Sequence, residues 1–150
     1  MQIAILLFML TLQDTRTDSG LPIHKLTPGT ILTSRRAIFC ASGYAARVRS
    51  VSGKRKDSVF VRYHIPRESR KAYVIDHLIP LELGGSNRIT NLFPQDSASA
   101  RQKDRVEAWA KRQACTSGVN VRSLQRAISR DWRGLGSRVP PSFTEHTSAD

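Results

Sequence analysis

Residues 74–94 limit most tightly what this chain can fold into. There an apolar run carries an adjacent acid and imidazole, Asp76-His77, and stops at Gly84-Gly85-Ser86-Asn87, after which Asn91-Leu92-Phe93-Pro94 opens a second apolar run. Two glycines followed by Ser and Asn form a strong turn signal between extended segments, so the pattern predicts a hairpin. Tyr73-Val74-Ile75 supplies aromatic and β-branched residues for the first strand, and Leu92-Phe93 marks the return strand before Pro94. Pro80 has no amide hydrogen for a ladder, which predicts a bent hairpin with an irregular connection.

A carboxylate, an imidazole and an amide on one hairpin suit a hydrolytic metal site acting on phosphodiesters. Asp76 offers hard oxygen ligands to Mg²⁺ or a similar cation, which can neutralise charge on a scissile phosphate. An imidazole titrates near pH about 6.5, so His77 can take a proton from an attacking water near neutrality. An Asn carbonyl can accept from one ring nitrogen, fixing the tautomer and leaving the other nitrogen as base. Asn91 is the candidate for that role. The bland readings are a satisfied structural histidine and an Asn that bonds the turn backbone. The adjacency of Asp76, the Gly-Gly loop and Asn91 favours chemistry at His77. His24, His64 and His146 have no such company.

These residues also carry a resemblance. Asp76-His77-Leu78-Ile79-Pro80-Leu81-Glu82-Leu83-Gly84-Gly85, then Asn91-Leu92-Phe93-Pro94-Gln95, then Lys103-Asp104-Arg105-Val106-Glu107, is similar to the HNH endonucleases of the His-Me finger (ββα-metal) group. The similarity extends from about Leu26 to about Trp132. It implies a small single α+β domain with a ββα-metal core and flanking helices. It also implies metal-dependent endonuclease activity, with Asp76 as metal ligand, His77 as general base, Asn91 as the residue that orients the base, and products with 5′-phosphate and 3′-hydroxyl ends. In one respect the chain departs from the family. Many members carry a further His or Asn on the helix after the second strand, whereas Asp96-Ser97-Ala98-Ser99-Ala100-Arg101-Gln102-Lys103-Asp104 has neither. The expectation is one divalent cation, Mg²⁺ with several waters, with Mn²⁺, Ni²⁺ and Zn²⁺ left open and Ser99 or Asp104 as substitute oxygen donors. The alternative is a non-catalytic, basic nucleic-acid-binding module on a degenerate scaffold of this kind.

Charge points to the same polymer. The 150 residues contain 24 Lys and Arg against 12 Asp and Glu, a formal charge of +12, and such a surface attracts polyanions. Residues 47–71 are rich in Arg and Lys, opposed only by Asp57 and Glu68. Lys54, Arg55 and Lys56, with Arg101 and Lys103 further on, are candidate phosphate contacts; the bland alternative is a solvated face. Nothing in these segments reads bases, so the expected partner is nucleic acid, DNA in the first instance, with low sequence specificity.

Around the hairpin, the spacing predicts a basic amphipathic helix over 52–63, capped by Ser52 and stopped before Pro66, and a helix over 99–113 with Val106, Trp109 and Ala110 on its apolar stripe. Thr116-Ser117-Gly118 ends that helix, and Asn120 caps another in which Leu124, Ala127, Ile128 and Trp132 share a face. Glu82 is expected to pin the loop through a salt bridge. Both tryptophans are expected in the core.

The two cysteines, Cys40 and Cys115, lack metal-finger spacing. Residues 3–12 have the length of a signal-peptide apolar region and are too short for an ordinary membrane span, although no Lys or Arg precedes them and no clear cleavage site follows. The expectation is export, to the outside or the periplasm, with the cytoplasm as the alternative, no stable membrane insertion of the domain, and a Cys40–Cys115 disulfide. The chain thus divides into a signal-like segment and linker (1–25), a nuclease domain (26–135) and a flexible C-terminal tail (136–150).

Overall fold

The computed structural model describes residues 21–143, so the apolar segment 3–12, most of the linker and residues 144–150 lie outside the described residues. Among the described residues, helices α1 (Arg36–Phe39), α2 (Tyr44–Val48) and α3 (Gly53–Arg62) precede strand β1 (Tyr73–His77). Strand β2 (Leu92–Asp96) and helices α4 (Ser97–Thr116) and α5 (Val121–Gly136) follow. The result is a small α+β domain whose single sheet has two antiparallel strands. No helix among the described residues is long and apolar enough to cross a membrane.

Local chemistry sets these boundaries. Ser52 caps α3 by accepting from the Arg55 amide at 3.2 Å, as expected, and Val59 and Phe60 turn inward. Tyr63, just past the helix, bonds the Thr27 hydroxyl at 2.8 Å, and Thr27 donates to the Leu92 carbonyl at 2.8 Å, tying this end of α3 to β2. Strand β2 runs beyond the expected stop: His77 pairs with Leu92, Ile75 with Pro94 and Tyr73 with Asp96. A two-stranded sheet leaves each strand a free edge, where a missing N–H is tolerated.

Helix α4 begins two residues before the expected position because Asp96, the last residue of β2, is also its cap. The Asp96 carboxylate accepts from the amides of Ala98 and Ser99 at 3.0 and 2.9 Å. Hydrogen bonds from the Ser99 hydroxyl and amide hold its carboxyl below the usual range. Ser99, Lys103, Val106, Ala110 and Ala114 form the buried stripe of α4. Asn120 caps α5 through the Ser123 amide at 2.9 Å. The helix kinks at Asp131, whose carboxylate accepts from the Gly134 amide at 2.9 Å and so restarts it.

Helix α4 lies against both strands and packs along α5. The core between them gathers Leu78, Leu83, Leu92, Phe93, Val106, Ile128 and Trp132. Trp109 is only partly buried at its edge. Leu21 and Ile23, assigned to the linker, pack against this core, as does Val139 beyond α5.

Cys40, just after α1, is bonded to Cys115, near the end of α4, with Cα atoms 5.8 Å apart and a sequence separation of 75. Closing so long a loop removes conformational freedom from the unfolded chain. Replacing both cysteines with serine is expected to cost about 2–4 kcal/mol. Urea denaturation of the two forms measures this, and equal midpoints would mean that the bridge adds nothing.

Candidate active site on the hairpin loop

The loop between β1 and β2 is held by one amide. Asn91 is fully buried. Its Oδ1 accepts from the amides of Ile79 at 2.9 Å and Thr30 at 3.3 Å, and its Nδ2 donates to the carbonyls of Ile79 at 2.9 Å and Ser86 at 2.8 Å. Two acceptor sites and two donors exhaust a carboxamide. The orienting role expected of Asn91 is therefore corrected: its side chain is spent on backbone and sets the path of the loop. Glycine is needed at the turn for steric reasons. Gly84 has φ +76°, and a Cβ on Gly85 would overlap the Ile79 carbonyl.

The residue on the imidazole is Asn87. His77 Nε2 lies 3.1 Å from Asn87 Oδ1. The same Oδ1 accepts from the Ser50 amide at 3.2 Å, while Nδ2 donates to the Val48 carbonyl at 2.7 Å. These backbone partners fix which end of the amide is oxygen, so Nε2 must carry the proton and Nδ1 the lone pair. No described residue bonds Nδ1. Arg55 clamps the arrangement from α3 by donating to the carbonyls of Ser50 at 2.9 Å and Asn87 at 3.2 Å. Gly84-Gly85-Ser86-Asn87 signals a turn, and nothing in that signal says that its Asn would reach back to a histidine ten residues earlier.

His77 is 4% exposed. Burial pushes its pKa below the ordinary histidine value and outweighs the Asn87 hydrogen bond and the Asp76 charge, which favour protonation; the cations Arg49 and Lys103 add to the depression. The imidazole is therefore neutral at pH 7, the form a general base needs.

Asp76 is engaged on both oxygens: Oδ1 accepts from the His77 amide at 2.7 Å and Oδ2 from the Lys103 ammonium at 2.9 Å. Lys103 is wholly buried, which corrects its expected place as a phosphate contact on a solvated face. It also donates to the His77 carbonyl at 2.7 Å and pairs closely with Glu107. Burial opposes the charge on Lys103, but the carboxylates of Glu107 and Asp76 prevail and raise its pKa. Burial, with repulsion from Asp76, pushes the Glu107 pKa upward against the pull of Lys103.

The remaining candidates divide. Arg101, Lys54 and Lys56 are exposed on their helices. Arg49, part of the Arg- and Lys-rich run 47–71, lies next to this site and is exposed as well. Glu82 faces Lys111 on α4 at 3.8 Å, the expected pinning contact, although both side chains are solvated and the pair is weak. The Ser99 hydroxyl is bonded to Asp96 within the cap. Asp104 lies on the exposed side of α4. Among the described residues no three acids, histidines or cysteines are grouped to hold a metal. Gln95 shares the Asp76 face of the sheet by strand alternation and is fully buried. Asp76, the one acid beside His77 that is part-exposed, already carries the Lys103 ammonium, so the described donors do not form a closed cage for a cation.

The fold and site define a disulfide-bridged α+β domain that presents a neutral, amide-held imidazole beside an acid–ammonium network. Comparisons with family models, curated proteins and solved structures give no match to this chain.

The Asn87 contact predicts a pH effect. Asn87→Asp places a carboxylate on Nε2, which favours the imidazolium and raises the His77 pKa, so the base is lost at a higher pH on the acid side. The acid limb of the pH–rate profile for nucleic-acid cleavage is expected to move upward. Asn87→Ala releases the ring and lowers the rate on the order of 10²-fold through misplacement. An unmoved limb in Asn87→Asp would show that His77 is not the titrating base.

Proposed function

We propose that the protein is a metal-dependent endonuclease in which β1, the loop, β2 and α4 form the ββα core of an HNH-type site. The observation that carries this is the neutral imidazole of His77, its tautomer fixed by Asn87, beside a carboxylate that still has lone pairs for a cation. His77 Nδ1 takes the proton from a water attacking phosphorus. Asn87 keeps the ring in place as positive charge develops, and Asp76 both orients the His77 backbone and would hold the cation. A bound divalent ion, Mg²⁺ in the first instance, supplies charge neutralisation at the phosphate and leaving oxygen. The products carry 5′-phosphate and 3′-hydroxyl ends. The exposed cations Arg49, Lys54, Lys56 and Arg101 attract the backbone of DNA without reading its bases. The Cys40–Cys115 bridge supports export to an oxidising compartment.

The rival, a basic nucleic-acid-binding module without catalysis, is favoured by the Lys103 ammonium already on Asp76. Plasmid nicking with Mg²⁺ and with EDTA, run beside a gel shift, separates the two. Metal-dependent nicking is the expected result, and binding without cutting would establish the rival.

A further inference from the structure

A second cationic feature lies on the opposite side of the Ser86-Asn87-Arg88 segment. Asn87 faces His77, while Ser86 and Arg88 line a cleft of about 630 Å³ closed on its far side by Arg122, Arg126 and Ser129 of α5. Arg122 and Arg126 are four residues apart and share one helix face. Between them Gln125 is buried and fixes α5 to the loop, donating to the carbonyls of Leu83 at 2.6 Å and Thr33 at 3.0 Å and accepting from Ser34 at 3.1 Å. The arginines are thus mounted on a fixed frame.

Three arginines meet here and no acid lines the cleft. Arg126 gives one hydrogen bond to Ser123 at 3.1 Å, and no described residue bonds the side chains of Arg88 or Arg122. A guanidinium has five N–H donors, so nearly all of this capacity faces the cleft or solvent. The lining also includes Ile31 and Leu32, 40% and 58% exposed. Cations above an apolar floor match a nucleotide, whose phosphate is anionic and whose sugar and base present apolar faces. A duplex can touch the rim of such a cleft but cannot enter it.

We infer that this cleft binds a single-stranded stretch of nucleic acid, with phosphates on Arg88, Arg122 and Arg126 and a nucleotide against Ile31 and Leu32. The identity of the polymer rests on the nuclease reading. The Ser86-Asn87-Arg88 segment links the two sites, so a strand held in the cleft leads past Asn87 towards His77.

The test is fluorescence anisotropy of labelled single- and double-stranded oligonucleotides in EDTA across a salt series, with plasmid nicking in Mg²⁺ run in parallel. The proteins are the wild type, Arg122→Ala/Arg126→Ala, Leu32→Glu, and a control of equal charge loss outside the cleft, Arg112→Ala/Arg138→Ala. Each phosphate contact on a single strand contributes about 0.7 to the salt slope, so the cleft double variant should lower it by about 1.4 and weaken binding at least tenfold at about 0.1 M salt. Leu32→Glu should also weaken single-strand binding, and the control should change it little. Equal losses in the cleft and control variants, an unchanged cleft variant, or an equal loss for duplex would overturn the inference. So would poly-glutamate competing as well as DNA, which would make the occupant an acidic polypeptide. A wild type that cuts normally while the cleft variant binds normally would sink the cleft and spare the nuclease reading. A wild type that never cuts, with single-strand binding lost in the variant, would do the reverse.

Discussion

Replacing His77 with alanine is expected to lower phosphodiester cleavage by about 10²–10⁴-fold, the usual cost of removing a general base. The ring is the only imidazole on the hairpin, and its burial keeps it neutral at pH 7. Binding of nucleic acid should survive, because the ring's described hydrogen bond goes to Asn87 and none of the exposed cations is bonded to it. The loop should survive as well: Asn87 keeps the Ser50 amide and the Val48 carbonyl, and Asn91 holds the turn independently. Plasmid nicking, a gel shift and a thermal melt on the same preparation separate these effects. Cleavage at the wild-type rate would remove His77 from the chemistry, and loss of cutting together with loss of fold would leave it as a packing residue. The depressed pKa also has a sign for stability. The unfolded imidazole binds a proton more readily than the folded one, so the domain should lose stability as pH falls through the ordinary histidine range.

The hairpin was legible in the sequence because it depends on local rules. Residues with strand preference flank a Gly-Gly turn, and the caps at Ser52 and Asn120 are short-range bonds that their residue types announce. The cap at Asp96 was missed because the residue also ends a strand, a dual role that neither period reveals. Pro94 misled for a related reason: its effect depends on whether a third strand lies alongside, and that is a property of the whole sheet.

The site was legible in part. Asp76 and His77 are adjacent in the chain, so the acid was certain to lie within electrostatic reach of the ring even though successive strand residues point to opposite faces. The exchange of Asn91 for Asn87 depends on loop closure, since both amides follow the same turn and only the folded path decides which one meets the ring. Lys103 carried a signal that charge obscured. It lies four residues after Ser99 and three before Val106, on the stripe that continues through Ala110 and Ala114, so its position was a core position whatever its side chain.

Lys103→Met is expected to destabilise the domain by about 3–5 kcal/mol, the usual cost of breaking a buried ion pair from one side. The ammonium serves the carboxylates of Asp76 and Glu107 and the carbonyl of His77, and none of the three has a second cation in reach among the described bonds. Without it two acids face each other under α4, and one must take up a proton or the helix must move. With an m-value near 2 kcal/mol/M, the urea midpoint should fall by about 2 M. The desolvation cost of the pair nearly balances its attraction, so the double variant Lys103→Met/Glu107→Leu, apolar and of similar volume, should regain much of the loss. Cleavage should not return with stability, because Asp76 would still lack the partner that fixes its Oδ2. A single variant as stable as the wild type would show that the ammonium is not what holds the acids together. A double variant recovered in both stability and cutting would show that it positions nothing in the site.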